Sequence, residues 1–309
     1  MSWLLADIGG TNTRCATWSP ESGLGPVTRL SNKEHKGAGD ALEHFVSSTD
    51  APRPEHAMIG IAAPLKGDHV QMINIDWAFS QAEMTQDLGL TSLELINDFG
   101  AVAHSLPALQ DDDVRPIGGG ERLPGAVRTV LGPGTGLGVA TLLEADGRFH
   151  AIMGEGGHVS LAANTAMERT IIMAMQERFT HCSAERIVSG AGISLVHEVM
   201  HGEVGLNPAQ IGERASQGDQ AAVDTLKQVF CFLGTIAADV AVTVGAFGGV
   251  YIAGGIVPRH LELFVNSGFR ERFENKGRYR AYLAAIPTSV ITRADPAFLG
   301  LARLAEMRS

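Results

Sequence analysis

Cysteine is scarce in this chain. Cys15, Cys182 and Cys231 are the only three in 309 residues, odd in number and far apart. They build no disulfide framework and match no zinc-ligand spacing, which suits a reducing cytoplasm. Basic runs are missing too. The formal net charge is -10, with no block of lysine or arginine, so nucleic acid is not an expected partner. No Gly-Lys pair occurs and the glycines of 132–138 do not follow G-x-G-x-x-G, so neither the P-loop nor the dinucleotide fingerprint is present. The apolar run Trp3–Ile8 carries Asp7 and has no basic leader, unlike a signal peptide. The one apolar stretch near membrane-span length, Phe230–Val250, contains Asp239 and several glycines. It predicts a buried helix followed by a turn rather than a membrane segment. Low-complexity tracts are absent.

What is present is globular. Hydrophobic residues make up 45 % and charged residues 19 %, and the length suffices for two domains with a substantial core. The chain opens with an apolar run to Ile8, then Gly9-Gly10-Thr11-Asn12, then a second strand over Thr13–Trp18. The glycines therefore sit at a hairpin tip. Without Cβ atoms, such a turn lets backbone N–H groups approach an anion, and Thr11, Asn12 and Thr13 add side-chain donors. Asp7 is expensive in a buried strand unless a cation compensates it. A hydrated Mg²⁺ is one such cation. The bland alternative is an ordinary glycine-rich hairpin with Asp7 hydrogen-bonded locally.

Further strands are expected over 26–30, 56–62, 70–75 and 93–97, with helices over 39–48, from Ser80 to about Leu88, and over 100–106. Residues 111–125 read as a polar, glycine-rich connection and place a domain boundary there. The opening pattern then recurs: strand 129–131, turn 132–138, strand 139–143. This repetition suggests a duplicated core. Helices follow over 165–179, 184–200 with a break at Ser189–Gly192, 207–218 and 220–243, then a strand over 248–252, a helix from Pro258, a strand over 286–291 and a C-terminal helix.

Several residues carry possible chemistry. Asn97 and Asp98 close a strand at the edge where open α/β sheets hold ligands, and a carboxylate there can accept a hydroxyl proton. Taken alone, Asp98 reads first as the N-cap of the next helix. Gly154-Glu155-Gly156-Gly157-His158 offers an acid and an imidazole suited to sugar hydroxyls, or is a solvated loop. Glu185 is a further ligand candidate, or a solvated helix residue. Gly254-Gly255 ends a strand where a flat ring can lie on bare backbone, or is a tight turn.

Taken together and in order, Asp7–Arg14, Ile96–Phe99, Gly132–Gly138, Gly154–His158, Ser183–Arg186 and Ala253–Pro258 closely resemble the bacterial glucokinases. More broadly they resemble the sugar-kinase, heat-shock-protein-70 and actin superfamily. The resemblance covers nearly the whole chain, including Asn74–Ser80 and Asp295–Gly300. It implies a two-domain actin-like ATPase (ribonuclease H-like) α/β fold with an interdomain cleft for ATP, Mg²⁺ and D-glucose. The small domain would be residues 1–110 plus 296–309, and the large one 111–295. By position, Asp98 would be the general base for the glucose 6-hydroxyl, and Asn97, Asp98, Glu155, His158 and Glu185 would bind the sugar. Gly9, Gly10, Thr11, Asn12, Gly134, Thr135 and Gly136 would hold phosphates, and Gly254 and Gly255 would lie near adenosine. Asp7 would sit near the metal, through water. The cysteine-rich zinc motif and the helix-turn-helix extension of related repressors are missing, which points to the glucokinase branch. The resemblance further implies a cytoplasmic homodimer. The competing functions are a kinase of another hexose or amino sugar, and a non-catalytic nucleotide-binding sugar sensor.

Overall fold

A computed structural model describes residues 1–309. Two strands open the chain, β1 (Trp3–Ile8) and β2 (Asn12–Ser19), antiparallel and joined at the glycine turn. β1 is buried along almost its whole length, whereas β2 alternates between buried and partly exposed residues. That difference marks a central strand beside one nearer the sheet edge. β3 (Gly23–Leu24) and β4 (Thr28–Ser31) both pair with β2. Helix α1 (Ala38–Ser48) buries Ala41, Leu42, Phe45 and Val46, the i, i+1, i+4, i+5 stripe of an amphipathic helix.

β5 (His56–Ile61) is parallel to β1. β6 (His69–Gln71) and β7 (Ala78–Ser80) form a separate ribbon. The strand expected over 70–75 is thus cut short, because the backbone turns through Asn74–Asp76 and returns with Met72 N donating to the Trp77 carbonyl at 3.0 Å. Helix α2 (Gln81–Asp87) starts as expected, with Ser80 Oγ accepting from Glu83 N. β8 (Ser92–Asn97) is parallel to β5, and α3 (Asp98–Ser105) follows without a linker.

The chain divides into two compact units, Met1–Leu109 with Ala294–Ser309, and Gln110–Arg293. In the second unit the segment expected to be a polar connection contains a strand, β9 (Val114–Gly118), which pairs antiparallel at a sheet edge. A proline inside it, Pro116, is tolerated at an edge position. β10 (Arg128–Pro133) and β11 (Leu137–Ala145) form the second glycine hairpin. β12 (Arg148–Gly154) returns from β11 through Asp146-Gly147, a strong two-residue turn signal.

Helices α4 (Ala166–Phe179), α5 (Ala184–Ile187), α6 (Gly190–His201), α7 (Pro208–Ser216) and α8 (Gln220–Val244) come next. The break between α5 and α6 falls at Ser189, which caps α6 by accepting from Gly192 N. Helix α8 is long and apolar enough to cross a membrane by composition. Here it buries Val229, Phe230, Phe232, Leu233, Ile236 and Ala237 in the core of its unit.

β13 (Val250–Ile252), α9 (Leu261–Val265), α10 (Phe269–Glu274), α11 (Arg280–Ala284) and β14 (Thr288–Ile291) complete this unit. α12 (Ala297–Glu306) belongs to the first unit. Its Gly300 meets α3 so closely that a Cβ there would lie 1.8 Å from the Ala101 carbonyl oxygen. Only glycine allows that helix–helix approach.

The two sheets share one strand order. The first runs β3-β2-β1-β5-β8 and the second β12-β11-β10-β13-β14, with β9 added beyond β14. In each, a glycine hairpin leads and its first strand pairs parallel with a later one. The duplication expected from the recurring glycine turns is therefore a duplicated sheet topology.

Candidate active site

In the first unit, register brings Ile8 of β1, Ile61 of β5 and Asn97 of β8 to one level. Their carboxyl ends thus share one sheet edge, where ligands of open α/β sheets bind. Asp7, Gly9–Asn12, Asn97 and Asp98 all lie along it. Asn97, not Asp98, is the N-cap of α3: its side chain accepts from Gly100 N at 3.1 Å. This overturns the bland reading of Asp98. Asp98 is the first helical residue, and its Oδ1 accepts from Phe99 N at 2.9 Å.

Asp7 pairs across the hairpin with Arg14. Arg14 Nη1 donates to Asp7 Oδ2 at 2.6 Å. Arg14 Nε lies 3.1 Å from Asp295 Oδ1 without hydrogen-bond alignment. Asp295 itself is a non-glycine residue with φ +48°. Burial raises the pKa of Asp7 above the ordinary carboxylate value, and the Arg14 guanidinium works against that rise. The compensating cation demanded by the sequence is therefore Arg14 in the first instance. Arg14 and Asp295 close and open two of the segments that carry the resemblance, but neither was given a role there, and the hairpin register carries the signal for one of them. With Ile8 opposite Thr13, the next pair outward must be Asp7 and Arg14.

The structure contains no group of three or more His, Cys, Asp or Glu side chains arranged to hold a metal. A protein cage is thus excluded, but magnesium asks for less. It keeps most of its waters and takes one or two carboxylates together with substrate phosphates. Asp7 beside the glycine turn, where the Gly10 and Thr11 N–H groups have no partner within the chain, fits that donor set.

In the second unit the turn between β10 and β11 is Gly134-Thr135-Gly136, with Gly134 N donating to the Gly136 carbonyl at 2.8 Å. The strands extend further into the glycine run than expected, reaching Pro133 and Leu137. Gly254, with φ +83°, lies against the same hairpin: a Cβ there would sit 2.5 Å from the Pro133 carbonyl oxygen. Gly254 therefore leaves β13 in a bend packed against the Gly132–Pro133 end of β10, and Gly255 follows it.

Glu185 is not a solvated helix residue. Its Oε2 accepts from Leu137 N at 2.9 Å, directly beside the turn. Its Oε1 lies 3.9 Å from His158 Nε2, and Glu155 Oε2 lies 4.0 Å from the same nitrogen. The loop carrying Glu155 and His158 is pressed onto β11, where a Cβ on Gly157 would fall 2.2 Å from the Leu137 carbonyl oxygen. It is fastened to Glu185's helix by Ala184 N donating to the Val159 carbonyl at 2.9 Å. An imidazole flanked by two carboxylates, with Glu155 and His158 exposed and Glu185 half-buried, presents several hydrogen-bonding atoms suited to a polyhydroxylated ligand.

A duplicated β-sheet topology with a glycine turn leading each copy is the architecture of the actin-like sugar kinases. A solved glucokinase from an Antarctic psychrotroph covers 99 % of this chain at 32 % identity and a TM-score of 0.86, with 99 % of that chain covered in turn. The glucokinase family model matches residues 4–308. The chain belongs to the glucokinase family. Glucokinase from Chromobacterium violaceum is 44 % identical over 305 residues, spanning 97 % of this chain and 88 % of the relative. The "Bifunctional protein glk" of Paraburkholderia xenovorans is 42 % identical over 314 residues. The chain spans about half the length of that relative, 49 %, while 99 % of the chain is matched.

Proposed function

We propose that this chain phosphorylates D-glucose at its 6-hydroxyl, with ATP as donor. The observation that carries the reading is the pair of carboxylates, Glu155 and Glu185, each within about 4 Å of the His158 imidazole beside a glycine turn, in a chain of the glucokinase family. In this reading Glu155, His158, Glu185 and Asn97 hold the sugar hydroxyls, and Asp98 takes the 6-hydroxyl proton. Oxygen 6 then forms its bond to the γ-phosphorus as the bond to the β,γ-bridging oxygen breaks, and ADP leaves with that electron pair. The turns at Gly9–Asn12 and Gly134–Gly136 orient the phosphates, and Gly254-Gly255 takes the adenosine. Mg²⁺, held by Asp7 through water, would screen phosphate charge. The first unit thereby supplies the base, one sugar ligand in Asn97 and one phosphate turn, and the second the other sugar ligands and the other turn. Alignment and electrostatics carry most of such a transfer. The same resemblance extends the reading to a cytoplasmic homodimer.

A coupled ADP-release assay over a panel of hexoses and amino sugars tests it. Glucose-dependent ADP formation is expected. Turnover with another sugar alone would transfer the reading to that sugar, and nucleotide binding without turnover on any sugar would replace it by a sensor.

A further inference from the structure

Asn32 stands between β4 and α1, outside every motif named so far. It is only 2 % exposed. Its backbone N donates to the Thr11 carbonyl at 3.0 Å. Its Nδ2 donates to the Gly9 carbonyl at 2.8 Å, and its Oδ1 accepts from Thr13 Oγ1 at 2.9 Å. The Thr13 hydroxyl belongs to a fully buried residue. A carbonyl oxygen only accepts, so the face of the amide toward Gly9 must be the NH₂. One buried side chain therefore brackets the turn from both sides, while its backbone holds the residue in the middle.

The consequence for an anion is direct. Carbonyl oxygens repel phosphate, and N–H groups attract it. Asn32 engages the carbonyls of Gly9 and Thr11, and Gly9 N engages that of Asn12 at 3.1 Å. The N–H groups of Gly10 and Thr11 make no hydrogen bond within the chain. We propose that Asn32 is a positioning residue for the nucleotide phosphates, holding the Gly9 and Thr11 carbonyls and the Thr13 hydroxyl of the opening turn so that the turn's N–H groups remain available to the anion. It rests on the reading of this turn as a phosphate grip.

Asn32→Asp is the sharpest probe. It is nearly isosteric and keeps the Thr13 bond, but it sets an oxygen against the Gly9 carbonyl. The expected result is a rise of about tenfold or more in KM for ATP, and a matching loss of affinity for a fluorescent ATP analogue. KM for glucose should stay within about twofold. Asn32→Ala should behave likewise. Ser80→Ala serves as a structural control, because it removes the α2 cap and lowers Tm without touching the turn. A folded Asn32→Asp whose KM for ATP and analogue affinity match those of Ser80→Ala overturns the proposal. Should Asn32→Asp not fold, Thr13→Val decides. Removing the hydroxyl that anchors Oδ1 should weaken analogue binding about threefold or more, and unchanged binding in folded Thr13→Val is equally fatal. Analogue binding needs no sugar turnover. A wild-type chain that binds nucleotide but phosphorylates no sugar therefore ends the kinase reading while leaving Asn32 to be judged on affinity alone.

Discussion

The two glycine turns head sheets of the same order, yet they are held in different ways. The turn after β1 is clamped by a neutral, buried amide, Asn32, with a charged pair, Arg14 and Asp7, one rung below the closing pair Ile8 and Thr13. The turn after β10 is held by an ionisable carboxylate, Glu185, whose second oxygen faces His158. Gly190 N adds a bond to the Gly134 carbonyl at 2.8 Å. The first clamp shares no atom with the proposed sugar ligands. The second shares one residue with them. Duplication of a topology has therefore not duplicated its wiring: in the second unit, the glycine turn and the proposed sugar ligands are joined through a single side chain, Glu185.

The largest expected effect separates chemistry from binding. Asp98→Asn should keep the fold, because the cap is supplied by Asn97. Its turnover should fall by about 10²–10⁴, the usual range for loss of a general base. Glucose should still raise its Tm. Near-normal kcat would remove Asp98 from the base role and erase the division of labour between the units.

Next come the matched glycine substitutions. A Cβ on Gly10 would lie 2.7 Å from Asn74 Cβ, an atom fixed to the backbone. A Cβ on Gly136 would lie 2.4 Å from Glu185 Oε2, the mobile end of a side chain. Gly10→Ala should therefore raise KM for ATP by about tenfold, with glucose KM little changed. Gly136→Ala should displace Glu185 and raise both KM values, each by a few-fold, about three to ten. Equal behaviour of the two variants in steady-state kinetics would break the contrast.

The smallest effect is a labelling rate. Burial, helped by the nearby Asp7, pushes the Cys15 thiol up to about 12, and burial pushes Cys182 up to about 11. Raised pKa values leave little thiolate at pH 8, so both cysteines should react with a thiol reagent far more slowly than a free thiol of pKa about 8.5. Cys15 lies on β2 and Cys182 precedes Glu185's helix. Each therefore reports the opening of its own unit. An ATP analogue that slows Cys15 but not Cys182, or the reverse, would show by mass spectrometry which clamp tightens.

Much of the site was readable as one-dimensional pattern. The turn residues Gly9–Asn12 and Asn97 with Asp98 sit where expected strands stop, Asp7 is the one acid within an apolar run, and Glu155 with His158 stand among glycines, although the exposed strand before them, β12, was not expected. Caps at Ser80, Thr165, Ser189 and Asn207 are local chemistry, since each side chain accepts from a backbone N–H three residues on. Asn32 was invisible because nothing local marks it: its partners, Gly9 and Thr13, are 23 and 19 residues away. β9 was missed because an edge strand with a proline and exposed residues resembles a connection. Glu185 looked solvated because its partner, Leu137 N, lies 48 residues upstream.

By itself, then, the sequence determined most of the elements, the glycine turns and the ordered motif set that mark the family, because helix caps, glycine turns and strand alternation depend on neighbours within a few residues. Tertiary structure alone decided which groups meet. The pairing of Arg14 with Asp295, the clamp of Asn32 and the double duty of Glu185 follow from β-sheet register and helix packing between distant segments. Those are set by burying the core of each unit, which no local stretch encodes.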